Sequence, residues 1–97
     1  MASSKKYLEF VLEQLSDLEK VTYRAMMGEY IIYYNGKIIG GIYDDRFLVK
    51  QTKSSIKLLS DAPLELPYEG AKKMFLADID NKELMNNLIP IIADEVK

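Results

Sequence analysis

Residues 29–50 read EYIIYYNGKIIGGIYDDRFLVK, and the parsing of this stretch decides the fold. It contains glycines at 36, 40 and 41, a lysine beside the first of them, and adjacent aspartates at 44 and 45. Those are ingredients of a phosphate-binding loop and also of β-turns. A Walker-type loop needs G-x-x-x-x-G-K-[ST] between a strand and a helix, so that backbone N–H groups and the helix dipole hold the phosphate. Gly36-Lys37 is followed by Ile38, G-x-G-x-x-G is absent, and Gly40-Gly41 lies inside an apolar strand pattern. Asn35-Gly36, by contrast, is the strongest short hairpin signal, because both residues tolerate positive φ. The stretch therefore parses as strand EYIIYY, turn, strand KIIGGIY, turn at Asp44-Asp45, and strand RFLVK. Glycines within a strand mark a bulge or the close approach of another element.

Upstream, VTYRAMM is rich in β-branched and aromatic residues and predicts a further strand, with Gly28 as a bulge or tight bend before EYIIYY. Residues 4–18 carry Leu8, Val11, Leu12, Leu15 and Leu18 at three- and four-residue steps, which predicts an amphipathic helix capped by Ser3 or Ser4. Downstream, TKSSIKLLS predicts a short helix through Ile56 and Leu59 with Thr52 as its cap. DAPLELPYEGA, broken by Pro63, Pro67 and Gly70, reads as a loop, and KKMFLAD as a fifth strand. The terminal DIDNKELMNNLIPIIADEV predicts a helix with Leu84, Met85, Leu88, Ile91, Ile92 and Val96 inward. Asp80 and Glu83 have the spacing of a capping box, and Pro90 predicts a kink or two short helices. The order α-β-β-β-β-α-β-α specifies an α+β fold in two layers, an antiparallel sheet of about five strands with helices on one face. Residues 1–97 form one domain.

Composition narrows the chemistry. The chain has no cysteine and no histidine, which removes thiol nucleophiles, zinc-thiolate sites, Ser-His triads and the commonest general base. No run of 18 apolar residues spans a membrane, and Glu9 and Glu13 interrupt the N-terminal apolar residues with no cleavage site following, unlike a secretory leader. These features predict a cytoplasmic protein. At 48% hydrophobic residues in so short a chain, pairing with a second copy is one way to bury more surface.

Each candidate site has a structural alternative. In DIDNKE, an EF-hand would require glycine where Glu83 stands, so the acids read as a helix start and no metal site is expected. Asp44 and Asp45 are good turn formers rather than a catalytic carboxylate pair. No catalytic residue and no cofactor site emerges, so the expectation is a protein without enzymatic activity. Residues 22–60 carry six Lys/Arg against three acids, and residues 61–97 four against eight. Arg24, Arg46, Lys50, Lys53 and Lys57 are the candidates for nucleic-acid contact, provided that they share one face. The local charge excess is small for that role. Tyr23, Tyr30, Tyr33, Tyr34 and Tyr43 lie in the strands and suit a protein interface, where amphipathic rings are favoured. A third reading, a small-ligand carrier, requires a concave apolar pocket, with Tyr23 and Arg24 near Gly28 as its first suspects.

Residues 23–50, with Arg24, Met26, Gly28, Asn35-Gly36, Asp44-Asp45 and Leu48 to Lys50, resemble the N-terminal domain of the TfoX/Sxy family of bacterial competence regulators. LPYEGAKKMFLADID and the terminal helix extend the resemblance over nearly the whole chain. It implies a two-layer antiparallel fold similar to secretion chaperones. It also implies a regulatory, protein-binding role, since full-length members act with a cyclic-AMP receptor protein in activating competence genes and carry a second, helical domain. A small cytoplasmic, non-enzymatic interaction module, with an unidentified protein partner or a second copy of itself, is the resulting expectation. Direct nucleic-acid binding or small-ligand binding is the alternative.

Overall fold

A computed structural model describes residues 3–96. Helix α1 (Lys5–Gln14) leads into strands β1 (Val21–Met26), β2 (Glu29–Tyr34), β3 (Lys37–Ile42) and β4 (Phe47–Val49). Helix α2 (Lys53–Leu58), strands β5 (Leu64–Glu65) and β6 (Met74–Leu76), and helix α3 (Lys82–Glu95) complete the chain. All pairings are antiparallel, in the spatial order β1-β2-β3-β4-β6-β5. The α+β architecture expected from the sequence is therefore observed, with six strands rather than about five. The additional strand is Leu64–Glu65, within the proline-punctuated segment that reads as a loop. It pairs with β6 over two residues only, too short to give a periodic signal.

Three two-residue turns build the meander, and all have positive φ at both central positions. They are Met27-Gly28 (53° and 84°), Asn35-Gly36 (52° and 81°) and Asp44-Asp45 (54° each). That is the signature of the mirror-image turn whose twist matches that of paired strands. Asn, Asp and Gly occupy such conformations at low cost, whereas Met27 does not share that tolerance.

The turn at Asp44-Asp45 is held by a carboxylate from another hairpin. Glu29 Oε1 accepts from Ser3 N (2.8 Å) and Ser3 Oγ (2.7 Å), and Glu29 Oε2 accepts from Asp44 N (2.9 Å). Asp45 N donates to Ser3 Oγ (3.0 Å), and Ser4 N donates to Asp45 Oδ1 (2.7 Å). Ser3 N also donates to Gly28 O at 3.0 Å. Two left-handed turns are thus joined to the start of α1, where Ser4 Oγ caps by accepting from Tyr7 N.

Strand register assigns the two faces of the sheet. Ile32, Ile42, Phe47, Val49 and Phe75 point to the helices and share one core with Leu8, Val11 and Leu15 of the α1 segment and Met85, Leu88, Ile89 and Ile92 of α3. Ile31, Gly41 and Leu48 lie in register on the opposite face. Between Ile32 and Tyr33 the register slips, so that Ile39 is an extra residue on β3. This is the bulge that the glycines foreshadow, and it swings both Ile39 and Gly40 into buried positions.

The helices depart from the sequence reading in detail. Helix α1 ends at Gln14 rather than Leu18, and the chain tightens into turns that still bury Leu15. In α2, Thr52 caps as expected and forms a reciprocal capping box with Ser55. Its buried residue is Ser55, while Ile56 is about half exposed, at 51%. The cap of α3 is Asn81, whose side chain accepts from Leu84 N, not Asp80 with Glu83. Asp78 Oδ1 accepts from Asp80 N, which holds that residue in a preceding turn. Pro90 does not divide α3. One helix runs from Lys82 to Glu95, because Leu88, Ile89, Ile92 and Ala93 are all buried on either side of the proline. Ile91 faces outward and Ile89 and Ala93 inward, a rotation of the expected apolar face.

Substitutions at Gly40, Gly36, Glu29 and Ser3 test these contacts. A Cβ at Gly40 would lie 2.1 Å from Leu48 O, whereas one at Gly36 meets nothing within 4 Å. Gly40→Ala is expected to cost at least about 3 kcal/mol, the upper end for overpacking. Gly36→Ala is expected to cost about 1 kcal/mol, from its left-handed backbone alone. Urea unfolding gives both values, and equal losses would contradict the bulge contact. Glu29→Ala removes three hydrogen bonds to one carboxylate and is expected to cost about 1–3 kcal/mol in the same assay, with Ser3→Ala and the double variant less than additive.

Candidate functional site

On the face opposite the helices, a groove of about 460 Å³ runs between the sheet and the segment joining β5 to β6. Its floor comes from β2, β3 and β6, through Ile31, Ile38, Gly40 and Met74, with Tyr43 at the end of β3. Its roof is the segment 67–73, contributing Pro67, Tyr68, Ala71, Lys72 and Lys73, and Lys50 and Gln51 close one side.

Two glycines of β3 shape the sheet beneath the groove. At Gly40 the backbone of β4 comes so near that a Cβ would collide with Leu48 O and Val49 Cα. At Gly41 the Tyr43 ring folds back over the strand, with a Cβ position only 2.6 Å from its Cε2. The ring then meets Tyr68 of the roof, with centroids 6.0 Å apart and planes tilted by 52°. Such tilted pairs add packing beyond simple burial.

Polar contacts fix the roof. Arg46 Nε donates to Tyr43 O (3.1 Å), Arg46 Nη2 to Leu66 O (3.2 Å), and Arg46 Nη1 pairs with Glu65. At the other end, Gln51 Nε2 donates to Lys73 O at 2.9 Å, and within the roof Ala71 N donates to Tyr68 O at 3.2 Å. These contacts tie both ends of the segment to the sheet.

The electrostatics of the groove are one-sided. Lys50, Lys72 and Lys73 line it, and no Asp or Glu does. Among the described residues the ion pair is Arg46–Glu65, so none of the three lysines is neutralised by a carboxylate in that way. Burial raises the Tyr43 phenol above the ordinary tyrosine range, and the neighbouring Tyr68, Glu29 and Tyr33 add to the effect. A raised value favours the protonated hydroxyl, so Tyr43 presents a neutral donor throughout the physiological range.

The five candidate cations do not form one surface. Arg24, in register with Ile31, lies on the groove face, as do Arg46 and Lys50, but Arg46 is consumed by Glu65 and Leu66 O. Lys53 and Lys57 belong to α2, which packs against α3 in the helical layer. The tyrosines divide as well. Tyr30 and Tyr34 pack against the core, and Tyr23 lies edge-on to Tyr30 at 6.0 Å. Tyr33, opposite Ile38, and Tyr43 are on the groove face. Tyr23 borders a different hollow, between the end of α1 and β1, and neither it nor Arg24 lines the groove. The residues that sequence reasoning missed are Tyr68, Lys72 and Lys73. Their signal was the aromatic and the lysine pair inside LPYEGAKK, but the folding of that segment back over the sheet is not written in its composition. Among the described residues, no group of three or more His, Cys, Asp or Glu side chains is placed to hold a metal ion.

Comparison with known proteins gives two results. Residues 13–84 match the family model described as the TfoX N-terminal domain. A protein of Spirochaeta aurantia, described as an uncharacterized 12.7 kDa protein in the trpE 5′ region, is 33% identical over 78 residues, which is 80% of this chain and 68% of that one.

The Tyr43 environment yields a measurable expectation. Its folded-state value lies above the unfolded one, so the contribution of this group to stability is undiminished below the ordinary tyrosine range and is lost as pH rises through the elevated value. In an ultraviolet titration of tyrosinate, Tyr43→Phe is expected to remove a component that ionises late. An unchanged late component in the variant would assign that burial elsewhere.

Proposed function

Starting from a chain that belongs to the TfoX N-terminal domain family, we propose that it is a non-enzymatic regulatory module that works inside the cell by binding another protein through the free face of its sheet. The observation that carries this reading is the groove between that face and residues 67–73. It has an apolar floor, two facing tyrosines and a cationic side. An apolar centre with a polar, wet rim is the usual anatomy of a protein interface. The exposed residues around it, Ile38 at 38% and Tyr68 at 62%, enlarge the apolar area available to a partner. A second copy of the chain is the alternative partner, and it would have to offer an acidic surface, because two lysine-lined grooves facing each other repel.

Nucleic-acid binding has less support. A backbone-tracking site needs cations on one continuous surface, and here Lys53 and Lys57 lie in the other layer from Arg24 and Lys50.

Affinity capture from the source cell, comparing the natural chain with Ile38→Asp and Tyr68→Ala variants, tests the reading. A partner retained by the natural chain, lost from both variants and re-bound after purification is the expected result. Light scattering reports whether that partner is a second copy. A chain that is monomeric and captures nothing that the variants fail to capture would refute the proposal. In gel shifts, any complex with DNA or RNA is expected to be weak, whereas a tight complex with a steep salt dependence would favour the nucleic-acid reading instead.

A further inference from the structure

The chemistry of the groove identifies the kind of segment that fits it. We propose that the groove accepts an extended, acidic peptide segment of the partner protein, with one aliphatic or aromatic side chain as its anchor. This rests on the protein-binding reading above and goes beyond it by specifying the ligand.

Charge complementarity is the first argument. Lys50, Lys72 and Lys73 line one end of the groove with no carboxylate among its lining residues, in a chain whose net charge is −2. Arg24 extends the same sign across β1 on the same face, in register with Ile31 of the floor. Of the acids near this region, Glu69 is exposed in the roof segment but does not line the groove, and two others are engaged elsewhere. Glu65 is paired with Arg46, and Glu29 accepts from Ser3 and Asp44. A local excess of lysine on an acidic chain favours carboxylate-bearing partners and disfavours basic ones.

The second argument is shape. The groove has a volume of about 460 Å³ and an apolar floor of Ile31, Ile38 and Met74, which suits an apolar side chain. Its lysines at 72 and 73 and Gln51 are exposed, so a free small molecule would remain wet on one side. Small-ligand sites enclose most of the ligand surface. An extended segment, by contrast, fills the floor with one side chain and sets its acids against Lys50, Lys72 and Lys73, which the Gln51–Lys73 bond gathers at one end of the groove. The roof is already fixed by Gln51 and Arg46, so little ordering is required on binding.

A random peptide library displayed on phage and selected on the immobilised full chain provides the test, with the enriched peptides synthesised and measured by fluorescence anisotropy. The expected peptides carry two or more Asp or Glu clustered to one side of one Leu, Ile, Phe or Tyr. They bind the Lys50→Glu/Lys72→Glu/Lys73→Glu variant at least about tenfold more weakly, and Lys57→Glu, in the helical layer, about as well as the natural chain. Circular dichroism checks that the variants are folded, and Lys50→Glu alone replaces the triple variant should that one unfold. Neutral or basic peptides, or acidic ones indifferent to the groove variant, would overturn the groove assignment while leaving the protein-binding reading intact. Enrichment of nothing, together with failure of the capture experiment, would remove both. Two competitors separate the other sources of negative charge. Phenylacetate displacing the peptide at comparable concentration would make this a small-ligand site, and oligothymidylate doing so would make it a nucleic-acid site. Either result would overturn the proposal.

Discussion

The contact between Gly40 and the backbone of β4 is the constraint on which the rest of the molecule depends. A side chain there would have its Cβ 2.1 Å from Leu48 O. Only hydrogen on the α-carbon lets β3 and β4 approach while the bulge at Ile39 turns the strand. Through β4 the meander β1-β2-β3 is joined to β6 and β5, and the sheet becomes one six-stranded surface. Backbone atoms cannot move aside as a flexible side-chain tip can, so the position tolerates little change.

The neighbouring glycine does something different with the same freedom. Gly41 faces away from the helices, and the space it leaves is taken by the Tyr43 ring. That ring supports Tyr68 in the segment above, and the groove lies between that segment and the sheet. The two glycines thus act on opposite faces. One closes the sheet, and the other shapes what the sheet presents. At the far end of the same strand pair, Asp44-Asp45 is held by Glu29 and Ser3, so the chain start, two hairpin turns and the helix cap form one hydrogen-bonded unit.

Much of this was legible because it depends on local chemistry. Asn35-Gly36 and Asp44-Asp45 are turn formers by their own backbone preferences, and they lie where the reading put them. Ser4 and Thr52 cap their helices because a hydroxyl just before an apolar period has a free N–H within reach. The failures also have local explanations. Asn81 took the cap expected of Asp80, because Asp78 had already engaged the Asp80 amide. Pro90 did not interrupt α3, because burial on both sides outweighs one missing hydrogen bond. Strand β5 escaped notice because two paired residues have no period.

The sequence by itself determined the order of every element but β5, the Asn35-Gly36 and Asp44-Asp45 turns, the absence of histidine and cysteine chemistry, and the requirement for a bulge or close approach at Gly40-Gly41. Those follow from backbone preference and residue type, which neighbours in the chain are enough to express. Only the tertiary structure decided which faces the charged and aromatic residues share. Arg24 and Lys50 came to the same face of the sheet, separated by β2 and β3, Lys53 and Lys57 went to the helical layer, and Lys72, Lys73 and Tyr68 arrived from a segment that no periodicity connects to the sheet. Strand pairing and the return of the chain over the sheet set those positions. Both are long-range contacts, and residue types in one stretch carry no record of the stretch they will meet.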